Sequence, residues 1–162
     1  MTSAARTQIG VIGASEASEQ QLRSAHTVGL ELAHAGVLLI TGGLGGVMQA
    51  ASQGAREGHA TTVGILPGSE LNLANPFVDV VIATGIGELR NGLIVRSSHA
   101  LIAIGGGFGT LSEIALALQA GRPVVALESW DLPQFKGAIR HVEHPHDAVA
   151  LALQLACSKQ LR

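Results

Sequence analysis

Residues 101–113 read Leu101-Ile102-Ala103-Ile104-Gly105-Gly106-Gly107-Phe108-Gly109-Thr110-Leu111-Ser112-Glu113. Four apolar residues make a strand of the kind buried on both faces, glycines follow, and a helix-period run opens at Thr110. A strand feeding a helix through glycines lets the backbone approach a ligand closely, while the free N–H groups of the helix N-terminus point at it. Upstream, Val37-Leu38-Leu39-Ile40 followed by Thr41-Gly42-Gly43-Leu44-Gly45-Gly46-Val47-Met48 repeats the arrangement. Glycine serves tight turns in any fold. Two such turns at the carboxyl ends of parallel strands, however, lie where open α/β sheets take their ligands. A weaker third turn, Gly10-Val11-Ile12-Gly13-Ala14-Ser15, follows the first strand. Ser15 reads either as a ligand contact or, preferably, as the cap of the first helix.

Working outward, short apolar runs alternate with longer helix-period segments. The strand runs lack the polar–apolar alternation of a one-sided sheet. Strands are predicted at Ile9–Ile12, Val37–Ile40, Thr62–Leu66, Val78–Ala83, Leu101–Ile104, Val124–Leu127 and Ile139–Val142. Helices are predicted at Ser18–Ala35, Gly46–Glu57, Gly87–Ser98, Thr110–Ala120 and Pro145–Ala156. Ser18 and Gln21 stand at capping-box spacing, and Gly36 supplies a helix stop. The alternation predicts an α/β protein: a single Rossmann-like, doubly wound parallel sheet with helices on both faces, residues 1–162 forming one domain.

Composition narrows the function classes. The chain has 162 residues, 47% hydrophobic and 14% charged, and a formal charge of −2; its mean hydropathy is +0.37. Ten Lys and Arg residues provide no basic face wide enough for many phosphate contacts, so nucleic acid is not an expected partner. The uncharged stretch Leu32–Ala55 is broken by six glycines and does not read as a membrane span. No apolar signal segment follows Arg6 before Ile9, and a soluble cytoplasmic protein is the simplest reading. The single cysteine, Cys157, is expected to be structural, since free cysteines are usually buried.

Neither glycine turn fits the P-loop pattern or the dinucleotide spacing with its downstream acid, which disfavours ATP hydrolysis and ordinary NAD binding. Glu113 has two readings. Thr110-Leu111-Ser112-Glu113 is a capping box, and the same acid lies one turn into a helix whose N-terminus would hold a phosphate. Arg90 and Arg96 precede the central strand six residues apart and do not share a helix face cleanly. An arginine on the element feeding the glycine loop is a candidate for phosphate recognition, and Asn91 beside it for a ligand hydrogen bond or a solvent-facing position. His141, His144 and His146 cluster without the cysteines or the helix motif of a metal site, and are expected to decorate a loop and cap the last helix. His99 is expected to be structural, and no metal or resident cofactor is expected.

Gly106-Gly107-Phe108-Gly109-Thr110-Leu111-Ser112-Glu113 resembles the G-G-x-G-T-x-x-E core of the Lonely Guy (LOG) superfamily of phosphoribohydrolases, once labelled lysine decarboxylases. The resemblance spans nearly the whole chain. Thr41-Gly42-Gly43 with Gly46-Val47-Met48 is similar to the family's other glycine turn, and Arg90 falls where the family places a catalytic arginine. The resemblance implies hydrolysis of the N-glycosidic bond of a nucleoside 5'-monophosphate, with Arg90 and Glu113 acting at the ribose. It implies phosphate and nucleotide contacts from Gly13, Ser15, Gly42, Gly43, Gly46, Met48, Arg90, Asn91, Gly106, Gly107, Gly109 and Thr110. It also implies a homodimer or higher homo-oligomer with helices in the interface. Three positions depart from the pattern: Gly105 stands for the motif's leading proline, Asn91 for a lysine, and His99 for an acid. With these, the chain looks closer to a bacterial branch of the superfamily and to molybdenum cofactor carrier proteins, which are similar in fold and bind a phosphorylated pterin without catalysis. A carrier or sensor of a phosphorylated cofactor is therefore the alternative reading. Decarboxylation through pyridoxal phosphate is rejected, because Lys136 and Lys159 are the only lysines and neither is near a glycine turn.

Overall fold

The structure, a computed structural model, describes residues 6–135 and 137–160, without the side chains of 159 and 160. Seven strands form one parallel sheet: β1 (Gln8–Gly13), β2 (Leu38–Thr41), β3 (Thr62–Leu66), β4 (Val80–Ala83), β5 (Ala100–Ile104), β6 (Val124–Leu127) and β7 (Ile139–Val142). Their order is β4-β3-β2-β1-β5-β6-β7, so the chain winds outward from β1 in one direction and then from β5 in the other. The predicted fold class is the observed one. Every strand is found within two residues of its expected bounds.

Five helices cover the sheet: α1 (Glu19–His34), α2 (Val47–Glu57), α3 (Asn91–Arg96), α4 (Phe108–Gln119) and α5 (Pro145–Gln160). The all-buried β5 sorts its side chains by the period of two. Ala100, Ile102 and Ile104 join the core beneath α1, α2 and α5, while Leu101 and Ala103 join Ile94, Val95, Ile114 and Ala117 beneath α3 and α4. α1 begins with the expected capping box: Gln21 N donates to Ser18 Oγ at 3.1 Å and Ser18 N to Gln21 Oε1 at 3.1 Å. α1 and α2 cross closely because a Cβ on Gly29 would meet the Ala51 carbonyl and one on Gly54 the His26 carbonyl. Among the described residues no helix is long and apolar enough to cross a membrane.

Four expectations need correction. The helix predicted over Gly87–Ser98 is a 3-10 turn, Gly87–Arg90, followed by the six-residue α3. The tighter winding leaves Glu88 and Leu89 outside and turns Arg90 inward. β4 starts at Val80 rather than Val78: Asp79 N still donates to Thr62 O, but Asp79 Oδ2 takes the Thr62 N–H that would otherwise extend the ladder. α4 starts at Phe108, two residues before the expected Thr110, with Gly107 as its N-cap. Cys157 is exposed, since it falls on the outer side of α5 while Ala152 and Ala156 face the core. Of the lysines, Lys136 lies outside the described residues and Lys159 falls near the end of α5, whose core side joins that of α1.

Candidate functional site

β1 and β5 are hydrogen-bonded neighbours, yet the connections leaving them run to opposite sides. A crevice opens at their carboxyl ends, the topological switch point where open α/β sheets bind ligands. It holds a cavity of about 560 Å³. The β1 turn contributes Gly13, Ala14 and Ser15, the β2 turn Gly42, Leu44 and Met48, and the β5 turn Gly107–Thr110 with Ser112 and Glu113. Glu88, Arg90 and Asn91 close the remaining side.

The β2 turn is held by side chains rather than by regular structure. Thr41 Oγ1 accepts from Gly43 N at 3.1 Å, and Asn75 Nδ2 donates to Leu44 O at 2.9 Å. Gly43 (φ 73°) packs on Leu66, and Gly46 (φ 63°) sits where a Cβ would strike the Ala14 and Ser15 carbonyls. In the β5 turn, Ser129 Oγ donates to Gly105 O at 2.6 Å and Trp130 Nε1 to Gly107 O at 3.2 Å. Two carbonyls of the glycine loop are thus committed to the segment after β6.

No side chain caps α2 or α4, and neither carries an acid in its first turn, whereas α1 has both a cap and Glu19. The N-terminal amides of α4 therefore open onto the crevice with the positive end of the helix dipole behind them. The capping-box reading of Glu113 fails with the new helix start. With Gly107 at the N-cap, Thr110 takes the position a box would give to its acid, and Glu113 lies one turn too far along.

Arg90 and Glu113 are 6% and 7% exposed. Arg90 Nη1 donates to Ile65 O at 2.9 Å, and the guanidinium packs on Gly42, whose missing Cβ makes room for it. Arg90 Nε has no hydrogen-bond partner. Burial pulls this guanidinium down from its ordinary range, against the opposing pull of Glu113 and Glu88. It stays charged. Burial pushes the Glu113 carboxyl up to about 7, against Arg90 and with Glu88 adding to the rise. The site thus pairs a fixed cation with an acid that takes up and releases a proton near neutrality.

Of the residues named from sequence, Gly13, Ser15, Gly42, Met48, Arg90, Asn91, Gly107, Gly109, Thr110 and Glu113 line one cavity. Gly43, Gly46 and Gly106 do not. They shape the turns, and Gly106 (φ 132°) faces the Thr110 side chain. Ser15 does not cap α1, a task that falls to Ser18. Asn91 is buried rather than solvent-facing, and its Nδ2 donates to Ser112 Oγ at 2.9 Å, which in turn donates to Gly109 O at 2.7 Å. Arg96 is exposed and outside the cavity. His99 Nδ1 accepts from Gln8 N at 3.0 Å, tying β1 to the start of β5. His141 lies 3.8 Å from Asp131 and His146 3.2 Å from Glu31; no group of three or more metal-ligating side chains occurs among the described residues. Leu44, Glu88, Phe108 and Ser112 are lining residues that sequence reasoning missed. Leu44 and Phe108, each set between glycines of a turn, carried a signal that pointed to them.

A parallel sheet with its cavity at the switch point, walled by two glycine turns and a buried arginine, defines a Rossmann-like α/β fold. The chain belongs to the SLOG cluster4 family, whose model matches residues 6–155. It is 48% identical over 142 residues to an uncharacterized protein of Archaeoglobus fulgidus, covering 88% of this chain and 91% of that one. Among solved structures it is similar to the molybdenum cofactor binding protein of the phototrophic bacterium Rippkaea orientalis, with TM-score 0.89 and 36% identity, covering 94% of this chain and 99% of that one. The molybdenum cofactor carrier protein of Chlamydomonas reinhardtii gives TM-score 0.84 at the same identity and coverage.

Proposed function

We propose that this chain binds a phosphorylated small molecule in the switch-point cavity and acts as its carrier or sensor, the cargo being a phosphorylated pterin of the molybdenum cofactor type. Arg90 carries the binding reading: a guanidinium more than nine-tenths buried, with Nε unpartnered, bordering a cavity onto which an uncapped helix N-terminus opens. A bound anion would meet the α4 amides and the dipole on one side and the Arg90 charge on the other. The kind of cargo is supported by 36% identity to the two molybdenum cofactor proteins over 94% of this chain. The cavity volume falls in the range of about 300–1,000 Å³ usual for small-molecule sites. The hold on such a cargo falls on its phosphate and ring system. We take the whole chain, residues 1–162, as one binding unit, placed within its family beside the cofactor carriers.

The test is native mass spectrometry of freshly purified protein, with calorimetric titration of AMP, GMP and a pterin phosphate. A co-purified pterin, or tighter binding of the pterin phosphate than of either nucleotide, is the expected result. Protein that binds none of them defeats the reading.

One observation favours a second reading, phosphoribohydrolase activity: the Glu113 carboxyl at about 7 beside Arg90 is suited to proton transfer near neutral pH. Glycosidic cleavage builds positive charge on the sugar, which the carboxylate form would stabilise. Incubation with nucleoside 5'-monophosphates must then release free base, and Glu113→Gln must lower the rate about 10²–10⁴-fold while affinity holds. No release by the wild type removes this reading. For assembly we propose a homodimer or larger, through the helical face that exposes Leu89, Leu93 and Leu116. Light scattering that reports a 16.5 kDa particle at micromolar concentration would refute it.

A further inference from the structure

The chain is poor in aromatic residues, with three Phe, one Trp and no Tyr. Phe108 is nevertheless 86% exposed, the most exposed of its large apolar side chains among the described residues. It gains almost nothing from folding, since a phenyl ring contributes through the apolar area it removes from water. Nor does the helix start call for it, because phenylalanine has a lower helix propensity than alanine or leucine. Its position is specific: it is the first residue of α4, between Gly107 and Gly109, and it lines the switch-point cavity. A Cβ on either flanking glycine would meet nothing within 4 Å, so the ring stands with free space beside it. Ile12, Leu44 and Met48 add apolar lining to the same cavity, which is several times larger than a phosphate group.

We propose that Phe108 is a stacking platform for a planar heterocycle carried by the ligand, and so a residue that selects ring-bearing phosphates over simple sugar phosphates. This rests on the anion site proposed above. A phosphate at the α4 amides places the rest of the ligand next to the first residue of that helix, where an aromatic face with two rotatable bonds offers contact at low entropic cost. Stacking of this kind tolerates different rings, because each has a π face.

Calorimetric titration of GMP, dihydroneopterin monophosphate and ribose 5-phosphate into wild type, Phe108→Ala and Phe108→Trp tests it. Phe108→Ala should weaken the tighter ring-bearing ligand on the order of tenfold or more and leave ribose 5-phosphate within about twofold. Phe108→Trp should restore the ring-bearing ligand. Unchanged affinity of both ring compounds in Phe108→Ala overturns the platform, as does an equal loss for ribose 5-phosphate, which would mark a distorted loop. A change of particle mass in light scattering of Phe108→Ala makes the ring a subunit contact and also overturns it. Wild type that binds ribose 5-phosphate but neither ring compound defeats the platform alone, whereas wild type that binds none of the three defeats the anion site beneath it.

Discussion

Replacing Glu113 by glutamine keeps the shape of the side chain and removes a charge that the fold disfavours. Its carboxyl is 7% exposed, and burial raises it from 4.5 to about 7. At 1.36 kcal/mol per pH unit, that difference corresponds to about 3 kcal/mol of folding free energy. The sign follows from proton binding. Between about pH 4.5 and 7 the unfolded chain has released this proton and the folded chain still holds it, so stability falls as pH rises through that window and is level above it. Glutamine mimics the protonated form and does not titrate. Glu113→Gln should therefore match the wild type near pH 4 and exceed it by about 3 kcal/mol at pH 8.5. For a chain of this length that is about 6–12 °C in Tm. Thermal melts of both proteins by circular dichroism at pH 4, 6 and 8.5, at fixed ionic strength, measure it. A difference that does not grow between pH 4 and 7 refutes the reasoning. So does a variant that melts below the wild type at pH 8.5, because the Arg90 charge would then outweigh desolvation.

Gly109→Val should fold normally, since a Cβ there meets nothing within 4 Å, yet it should abolish phosphate binding by blocking approach to the α4 amides; unchanged affinity by calorimetry counts against the amide site. Trp130 is the chain's one tryptophan and donates to the Gly107 carbonyl, so its fluorescence should shift when ligand saturates the loop, and a flat titration under saturating ligand would separate the two. Gly54→Val should lower stability by about 1–3 kcal/mol or more, because its Cβ would overlap the His26 carbonyl across the α1–α2 crossing; urea melts with an unchanged midpoint would show that the helices separate freely.

Strand positions were readable because the β runs are short and, apart from Ile139–Val142 with its Arg140 and His141, mostly apolar and set between helix-period segments, which is the physical signature of a sheet covered on both faces. Ends were less readable where side chains replaced backbone partners. Asp79, the one polar residue in Val78–Ala83, takes the Thr62 N–H with its side chain and shortens β4, yet an acid inside an apolar run does not by itself say which backbone bond it will replace. Thr110-Leu111-Ser112-Glu113 imitates a helix start, yet α4 opens two residues earlier because Gly107 takes the N-cap and leaves its amides free. In the site, Arg90 and Glu113 stood out by residue type and spacing. Glu88 and Ser112 did not, since ordinary surface residues become cavity walls only when α3 and α4 are laid side by side. Glycine identity likewise could not separate Gly107 and Gly109, which face the crevice, from Gly43 and Gly46, whose positive φ bends the chain.

The bond from Gln8 N to His99 Nδ1 joins residues 91 apart in the chain, and β1 reaches its second neighbour only when β5 arrives. The crevice between them has no local precursor. Such long-range pairing slows folding, since much loop entropy is lost before the contacts repay it. During synthesis, a chain shorter than about Glu113 has β1, α1 and β2 in hand but no second glycine loop to set against them. A ligand of the crevice therefore meets either a chain in which β1 and β5 are already paired or one with no binding site, and its binding reports that this long-range pairing has formed.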